Sequence, residues 1–236
     1  MQTTSTHPRY EAVIFDLDGT LADTFPTVLR IFNQVMHNRT GRAWTFEELL
    51  PYFGPPENVI FQRLFPAAED HQPIIEEYYR LSRADGDQIK PFAGIHELVA
   101  KLRQSGVKLG VYSGASTEAA RIRVGHAGLL DYFDDVIGGD QVAHYKPHPE
   151  GLQKLMQRFG VTPEQTVYVG DMTVDIQAGR DAGTATVAVT WGAGTRAALA
   201  AVEPDFLLDD PLHLHHLINP ISQPKQGATV SYVTEP

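Results

Sequence analysis

The chain contains no cysteine, which excludes disulfide bridges, thiolate nucleophiles, and zinc or iron–sulfur centres held by cysteine. Basic residues are scarce: 19 Lys and Arg against 29 Asp and Glu give a formal net charge of -10 and a pI near 5.4. A surface of that sign repels phosphate backbones, so nucleic acid is not an expected partner. Any site for an anionic substrate must then gather positive charge locally, from a metal, a lysine or helix N-termini. No apolar run approaches the roughly 18 residues of a membrane span. Residues 1–10 are polar and lack the apolar stretch of a secretory signal. The expectation is a cytoplasmic protein that uses no membrane.

What remains is an ordinary globular composition, 42% hydrophobic and 20% charged over 236 residues, enough for one large α/β domain or for a core carrying a smaller insertion. Residues 12–15 form a short apolar run that stops abruptly at Asp16, Asp18 and Gly19, as a buried strand opening into a loop would. Further strand-like runs fall at residues 107–112, 136–137, 166–169, 186–189 and 206–208. Helical spacings lie between them, at residues 95–104, 117–127, 149–159, 174–182 and 195–202. Strand and helix in alternation predict a parallel sheet wrapped by helices. Residues 24–84 break the alternation with helical patterns at 26–37, 46–52, 57–64 and 73–83, separated by Gly41, Pro55 and Pro66. An insertion placed after the first strand sits over the sheet's ligand-binding edge and is expected to act as a lid.

Four short segments carry chemistry. Phe15-Asp16-Leu17-Asp18-Gly19-Thr20-Leu21 places two carboxylates two residues apart at a strand mouth. Paired carboxylates suit nucleophilic attack by one and proton shuttling by the other; alone, the segment also reads as an acidic turn. Val111-Tyr112-Ser113-Gly114-Ala115 leaves room for a hydroxyl and backbone N–H groups to hold phosphate oxygens, although strand-Ser-Gly is a common turn. Lys146-Pro147 precedes a helical pattern, and Val169-Gly170-Asp171-Met172-Thr173-Val174-Asp175 adds two carboxylates at another strand mouth, the hard oxygen donors that Mg2+ prefers.

In this order the four segments resemble the motifs of the haloacid dehalogenase superfamily, most of whose members are phosphatases; the resemblance spans residues 15–175. It implies a Rossmann-like α/β parallel-sheet core with an inserted α-helical cap. The core would comprise residues 1–22 and 87–218, the cap 23–86, and residues 219–236 a peripheral tail. The resemblance also assigns roles. Asp16 is the nucleophile that becomes phospho-aspartyl, and Asp18 is the general acid and base. Ser113 and Gly114 hold the phosphate, and Lys146 neutralises charge on nucleophile and phosphoryl group. Mg2+ is the implied cofactor, bound by side-chain oxygens of Asp16 and Asp171 and the backbone carbonyl of Asp18. Asp175 is an outer-sphere ligand or an orienter of Lys146.

Within the superfamily, dehalogenases lack the second aspartate, which here is Asp18, and phosphonate hydrolases commonly depart from the Asp-Leu-Asp-Gly-Thr pattern. The chain looks most like the phosphoglycolate phosphatase-like branch with a small helical cap. Sugar phosphate mutases usually carry a histidine soon after the first motif, where this chain has Phe25, Pro26 and Val28. The expected partner is a small phosphorylated metabolite: phosphoglycolate, inorganic pyrophosphate, a sugar phosphate or a nucleotide. A monomer or weak homodimer is expected. Specificity would lie in the cap, at Tyr52, Gly54, Asn58 and Arg63, unless Phe53 and Pro55 are helix-linking core residues and Arg63 is solvated. A non-catalytic phosphate-binding regulator is the alternative, and the full set Asp16, Asp18, Ser113, Lys146 and Asp171 argues against it. His144 and His148 read as loop residues, the run His213-Leu214-His215-His216 as structural or surface, and Trp44 and Trp191 as packing residues.

Overall fold

The computed structural model describes residues 9–52 and 54–218. β1 (Ala12–Phe15) is buried along its whole length. After a tight turn, β2 (Ala22–Asp23) enters four helices: α1 (Phe25–Thr40), α2 (Phe46–Leu49), α3 (Glu57–Leu64) and α4 (Gln72–Ala84). β3 (Lys90–Pro91) returns antiparallel beside β2, with Asp23 opposite Lys90. The chain then alternates through α5 (Ile95–Gln104), β4 (Lys108–Tyr112), α6 (Thr117–His126), β5 (Asp135–Ile137), α7 (Glu150–Phe159) and β6 (Thr166–Gly170). It ends with α8 (Thr173–Ala182), β7 (Ala185–Val189), α9 (Arg196–Ala201), β8 (Phe206–Leu208) and α10 (Leu212–Ile218).

The six longer strands make one parallel sheet in the order β5-β4-β1-β6-β7-β8. β1 is central: from it the chain builds outward on one side through β4 and β5, then on the other through β6, β7 and β8. The crevice at such a reversal is where open α/β sheets bind ligands. Val13 and Phe15 of β1, with Leu109, Val111, Val167 and Val169, face a core closed by α5, α6 and α10. Ile14, Tyr112 and Tyr168 face the opposite core with Leu152, Leu155 and Met156 of α7. Both faces are apolar, so the strands read as continuous hydrophobic runs rather than alternating ones.

The helices between β2 and β3 have a core of their own, in which Phe32, Phe61 and Tyr78 meet with centroids 4.9 to 5.6 Å apart. Burying each such ring contributes about 1.5–3 kcal/mol. Ala115, just before α6, and Ala119, in its first turn, join that cluster and seat the insertion on the core.

The structure departs from the sequence expectation in three places. The helix expected over residues 46–52 stops at Leu49 and continues as a 3-10 turn, Leu50–Tyr52, because Pro51 has no N–H for the next α-helical bond. The β2–β3 ribbon went unseen, its strands being too short to carry a periodic pattern. α10 was also unseen, and the histidine run lies on it. Residues 219–236 lie outside the described residues. Among the described residues no helix is long and apolar enough to cross a membrane.

Candidate active site

The three loops that leave β1, β4 and β6 open at the same sheet edge because those strands are neighbours. The Asp16 amide extends the ladder by donating to the Val169 carbonyl, 2.8 Å, and Ser113 N–H donates likewise to Ile137, 3.0 Å. Beyond Asp16 the chain turns at once, with the Leu17 carbonyl accepting from the amides of Thr20, Leu21 and Ala22. Gly19 sits at φ 97° in the left-handed region, and a Cβ there would lie 2.4 Å from Asp171 Oδ2. Glycine therefore lets the first loop rest directly on the third.

Lys146 reaches this point from the segment between β5 and α7. Its ammonium donates to Asp16 Oδ1 at 2.6 Å, to Asp175 Oδ1 at 2.7 Å and to the Tyr168 hydroxyl at 3.2 Å. The lysine side chain is 11% exposed and those of Asp16 and Asp175 are 8% and 1% exposed, so the group is nearly dry. Asp175 is fully engaged: Tyr168 also donates to its Oδ1, 2.9 Å, and Oδ2 accepts from the Met172 amide, 3.0 Å. The second contact is the backward reach of an acidic residue in a helix's first turn. Asp171 accepts from Thr20 Oγ1 at 3.0 Å and from the Ala193 amide at 2.7 Å.

Burial drives the electrostatics. It pushes the Asp16 carboxyl well above the usual carboxylate range; Lys146 pulls it back, while Asp175, Asp171 and Asp18 push it further up. Asp171 is pushed up to about 6 by burial and then by the charge of Asp175. Burial draws Lys146 downward, but Asp16 and Asp175 outweigh it and hold the ammonium well above the ordinary lysine value. One ligand oxygen from each of Asp16, Asp171 and Asp175 lies within 4.8 Å of the others. Buried carboxylates crowded beyond what one lysine neutralises are a hard-oxygen donor set that fits Mg2+.

Asp18 points toward the insertion. Its Oδ1 accepts from Thr24 Oγ1 at 2.6 Å and its Oδ2 from Ser113 Oγ at 3.1 Å, while Arg123 Nη1 bonds both oxygens, 3.0 and 3.1 Å. Arg123 was not anticipated from the sequence. Its Nη2 bonds Glu57 Oε1 at 2.6 Å and the Tyr78 hydroxyl oxygen at 2.7 Å. The indole of Trp191 donates to the Thr20 carbonyl, 3.0 Å, a packing role beside the site.

Of the four residues expected to set specificity, Gly54 lies at the seam, its carbonyl 3.0 Å from where a Cβ of Gly114 would be. Asn58 is half-buried, with an Oδ1 that has no hydrogen-bond partner among the described residues. Tyr52 packs edge-on against Trp44, centroids 6.4 Å apart, and Arg63 is exposed on the last turn of α3. Neither of these two bonds a motif residue among the described residues. His144 and His148 gather with Glu150, but Glu150 already accepts from the amides of Ala143 and His144 and pairs with Lys154 at 2.8 Å.

Comparison with known proteins identifies the family. The family model described as haloacid dehalogenase-like hydrolase matches residues 13–189. The pyrophosphatase PpaX of Bacillus cereus (strain AH820) is 33% identical over 202 residues, 85% of this chain and 93% of that protein. The crystal structure of CbbY from Rhodobacter sphaeroides in complex with phosphate superposes with a TM-score of 0.72 at 27% identity, covering 87% of this chain and 96% of that one. A predicted phosphoglycolate phosphatase from Haemophilus somnus shares the fold, with a TM-score of 0.75 at 24% identity over 87% of this chain and 96% of its own. By motif order, fold and family match, the chain belongs to the haloacid dehalogenase-like hydrolases.

Proposed function

We propose that this chain is a cytoplasmic, Mg2+-dependent phosphomonoester hydrolase that acts on a small phosphorylated metabolite through a phospho-aspartyl intermediate at Asp16. The observation that carries the reading is the placement of Lys146 on Asp16 Oδ1 at 2.6 Å; among the described residues Oδ2 accepts no hydrogen bond and is available to attack. In the first step Asp16 forms a bond to phosphorus, the bond from phosphorus to the leaving oxygen breaks, and Asp18 gives its proton to that oxygen. In the second, Asp18 takes a proton from water as the water attacks the acyl phosphate, releasing inorganic phosphate and restoring Asp16. Ser113 and the backbone around Gly114 hold phosphoryl oxygens. Lys146 supports the carboxylate form of Asp16 and the charge that develops in transfer. Mg2+ held by Asp16 and Asp171 would neutralise phosphoryl oxygens as a Lewis acid, with Asp175 orienting Lys146.

Phosphoglycolate is the first candidate substrate. A second reading, inorganic pyrophosphate, is favoured by the one-third identity to a pyrophosphatase along most of both chains. Mutase activity is disfavoured by Phe25, Pro26, Thr27 and Val28 in the first turn of α1, which offer no histidine. A regulator that binds phosphate without turnover would not need the buried Lys146–Asp16 pair. Phosphate release from 2-phosphoglycolate, pyrophosphate, sugar phosphates and nucleotides, with and without Mg2+, tests the proposal; no release from any of them refutes it.

A further inference from the structure

Arg123 belongs to a core helix, α6, yet its side chain is 7% exposed and its guanidinium lies between two carboxylates from different parts of the fold. Nη1 holds both oxygens of Asp18, and Nη2 holds Glu57 at the first turn of α3 and Tyr78 of α4. Glu57 is itself pinned: its Oε2 accepts from the Ser116 amide at 2.8 Å, at the N-cap of α6. One guanidinium thus joins the insertion to the carboxylate that handles the proton.

Stability alone does not explain this network. Desolvating charges is expensive, and apolar side chains of similar volume hold a seam as well or better, as Ala115 and Ala119 do against the core of the insertion. The network instead controls direction. Asp18 has a hydroxyl partner in Thr24 and another in Ser113; Arg123 draws the carboxylate toward the insertion, the side on which a leaving group must sit when Asp16 attacks from the sheet edge.

We propose that Arg123, oriented by Glu57, is a positioning residue for Asp18, aiming its carboxyl at the leaving group only while the insertion is seated on the core. If the insertion lifts, Glu57 and Tyr78 leave with it, Arg123 loses its orientation, and Asp18 is released. Proton transfer is then confined to the closed, water-excluding state. This inference rests on the phosphatase reading above.

The test compares ethyl phosphate, whose alkoxide needs a proton to leave, with p-nitrophenyl phosphate, whose phenolate does not. Glu57→Gln keeps shape and hydrogen-bonding atoms while removing the charge that orients Arg123. Its kcat on ethyl phosphate should fall about a hundredfold, the scale of a general acid. KM and the pre-steady-state burst of p-nitrophenolate should stay within about threefold, because neither ground-state binding nor the first transfer to Asp16 needs the proton. Arg123→Lys, which keeps the charge but cannot span both carboxylates, should behave alike and serves as the second variant if Glu57→Gln melts early. In an Asp18→Asn background Glu57→Gln should cost nothing further, since it acts through Asp18. A p-nitrophenolate burst slowed as much as ethyl phosphate turnover, or an additive loss in that background, would make the network merely structural and overturn the proposal. A wild type that hydrolyses neither ester overturns the phosphatase reading, and this inference with it.

Discussion

Lys146 donates to Asp16 at 2.6 Å across 130 residues of chain, and the same ammonium donates to Asp175 at 2.7 Å. One cation therefore faces both the proposed nucleophile and a carboxylate in the first turn of α8. Tyr168 closes the group by donating to Asp175 and accepting from Lys146. Position and charge state of Asp16 are set together, by a group with almost no access to water.

Replacing Lys146 by Met should lower kcat about a hundredfold to a thousandfold, the usual cost of removing one preorganised electrostatic partner. It also strips the cation from two buried carboxylates, which should destabilise the fold by about 3–5 kcal/mol. Lys146→Arg should not rescue turnover, because a planar guanidinium cannot place a compact charge among Asp16, Asp175 and Tyr168. Steady-state kinetics with urea melts would check both; wild-type kcat in Lys146→Met would remove lysine from the mechanism.

The pH dependence of stability follows from Asp171. Its pKa of about 6 in the fold lies above the ordinary value of 3.8, so between those limits the folded chain holds the proton more tightly than the unfolded one. The associated stability is fully present below the ordinary value and is lost as pH rises through about 6, by up to about 3 kcal/mol. Metal-free Asp171→Asn should therefore gain on metal-free wild type from pH 4 to about 6, then plateau. Urea melts in chelator would check this; a flat difference, or one of opposite sign, contradicts it.

The same excess negative charge predicts the metal response. Exhaustive chelation should abolish turnover and Mg2+ should restore it, whereas Ca2+, with more ligands in looser geometry, should inhibit. Mg2+ should raise the melting temperature more above about pH 6 than near pH 4, because protons compete for Asp171. Full activity after chelation would exclude the metal role.

Much of this was legible in the sequence, for identifiable reasons. Asp16, Asp18, Ser113, Lys146 and Asp171 stand next to strand ends or in short motifs whose order is visible along the chain. Arg123 and Glu57 stand inside helices and look like solvated charges. A closer reading of periodicity had a signal to offer. The buried positions of α6 are Ala119, Ala120, Arg123 and Val124, so Arg123 falls on the apolar stripe whereas Arg121 does not. Glu57 shares its stripe with Ile60 and Phe61. A charge on an apolar stripe implies a buried partner, but which partner is a matter of tertiary packing. The contact of Ala193 with Asp171 had no signal at all, since a backbone amide carries no side-chain identity.

The insertion offers a further check. Asp23 and Lys90 face each other at the β2–β3 ribbon, so a short Gly/Ser linker can replace residues 25–88 without stretching the core. The trimmed protein, once shown to be folded, should keep part of its activity on p-nitrophenyl phosphate and lose discrimination among metabolites, as follows if the core holds only the phosphoryl group. An unchanged preference would move specificity into the core.

The central claim is covalent: Asp16 carries the phosphoryl group during turnover. Wild type mixed with p-nitrophenyl phosphate and Mg2+, acid-quenched within the burst and reduced with borohydride, should yield homoserine at position 16 on peptide mapping. Asp16→Asn, folded but unable to attack, should yield none and release no p-nitrophenolate. Homoserine at Asp18, or none at all from an enzyme that is turning over, would contradict the account.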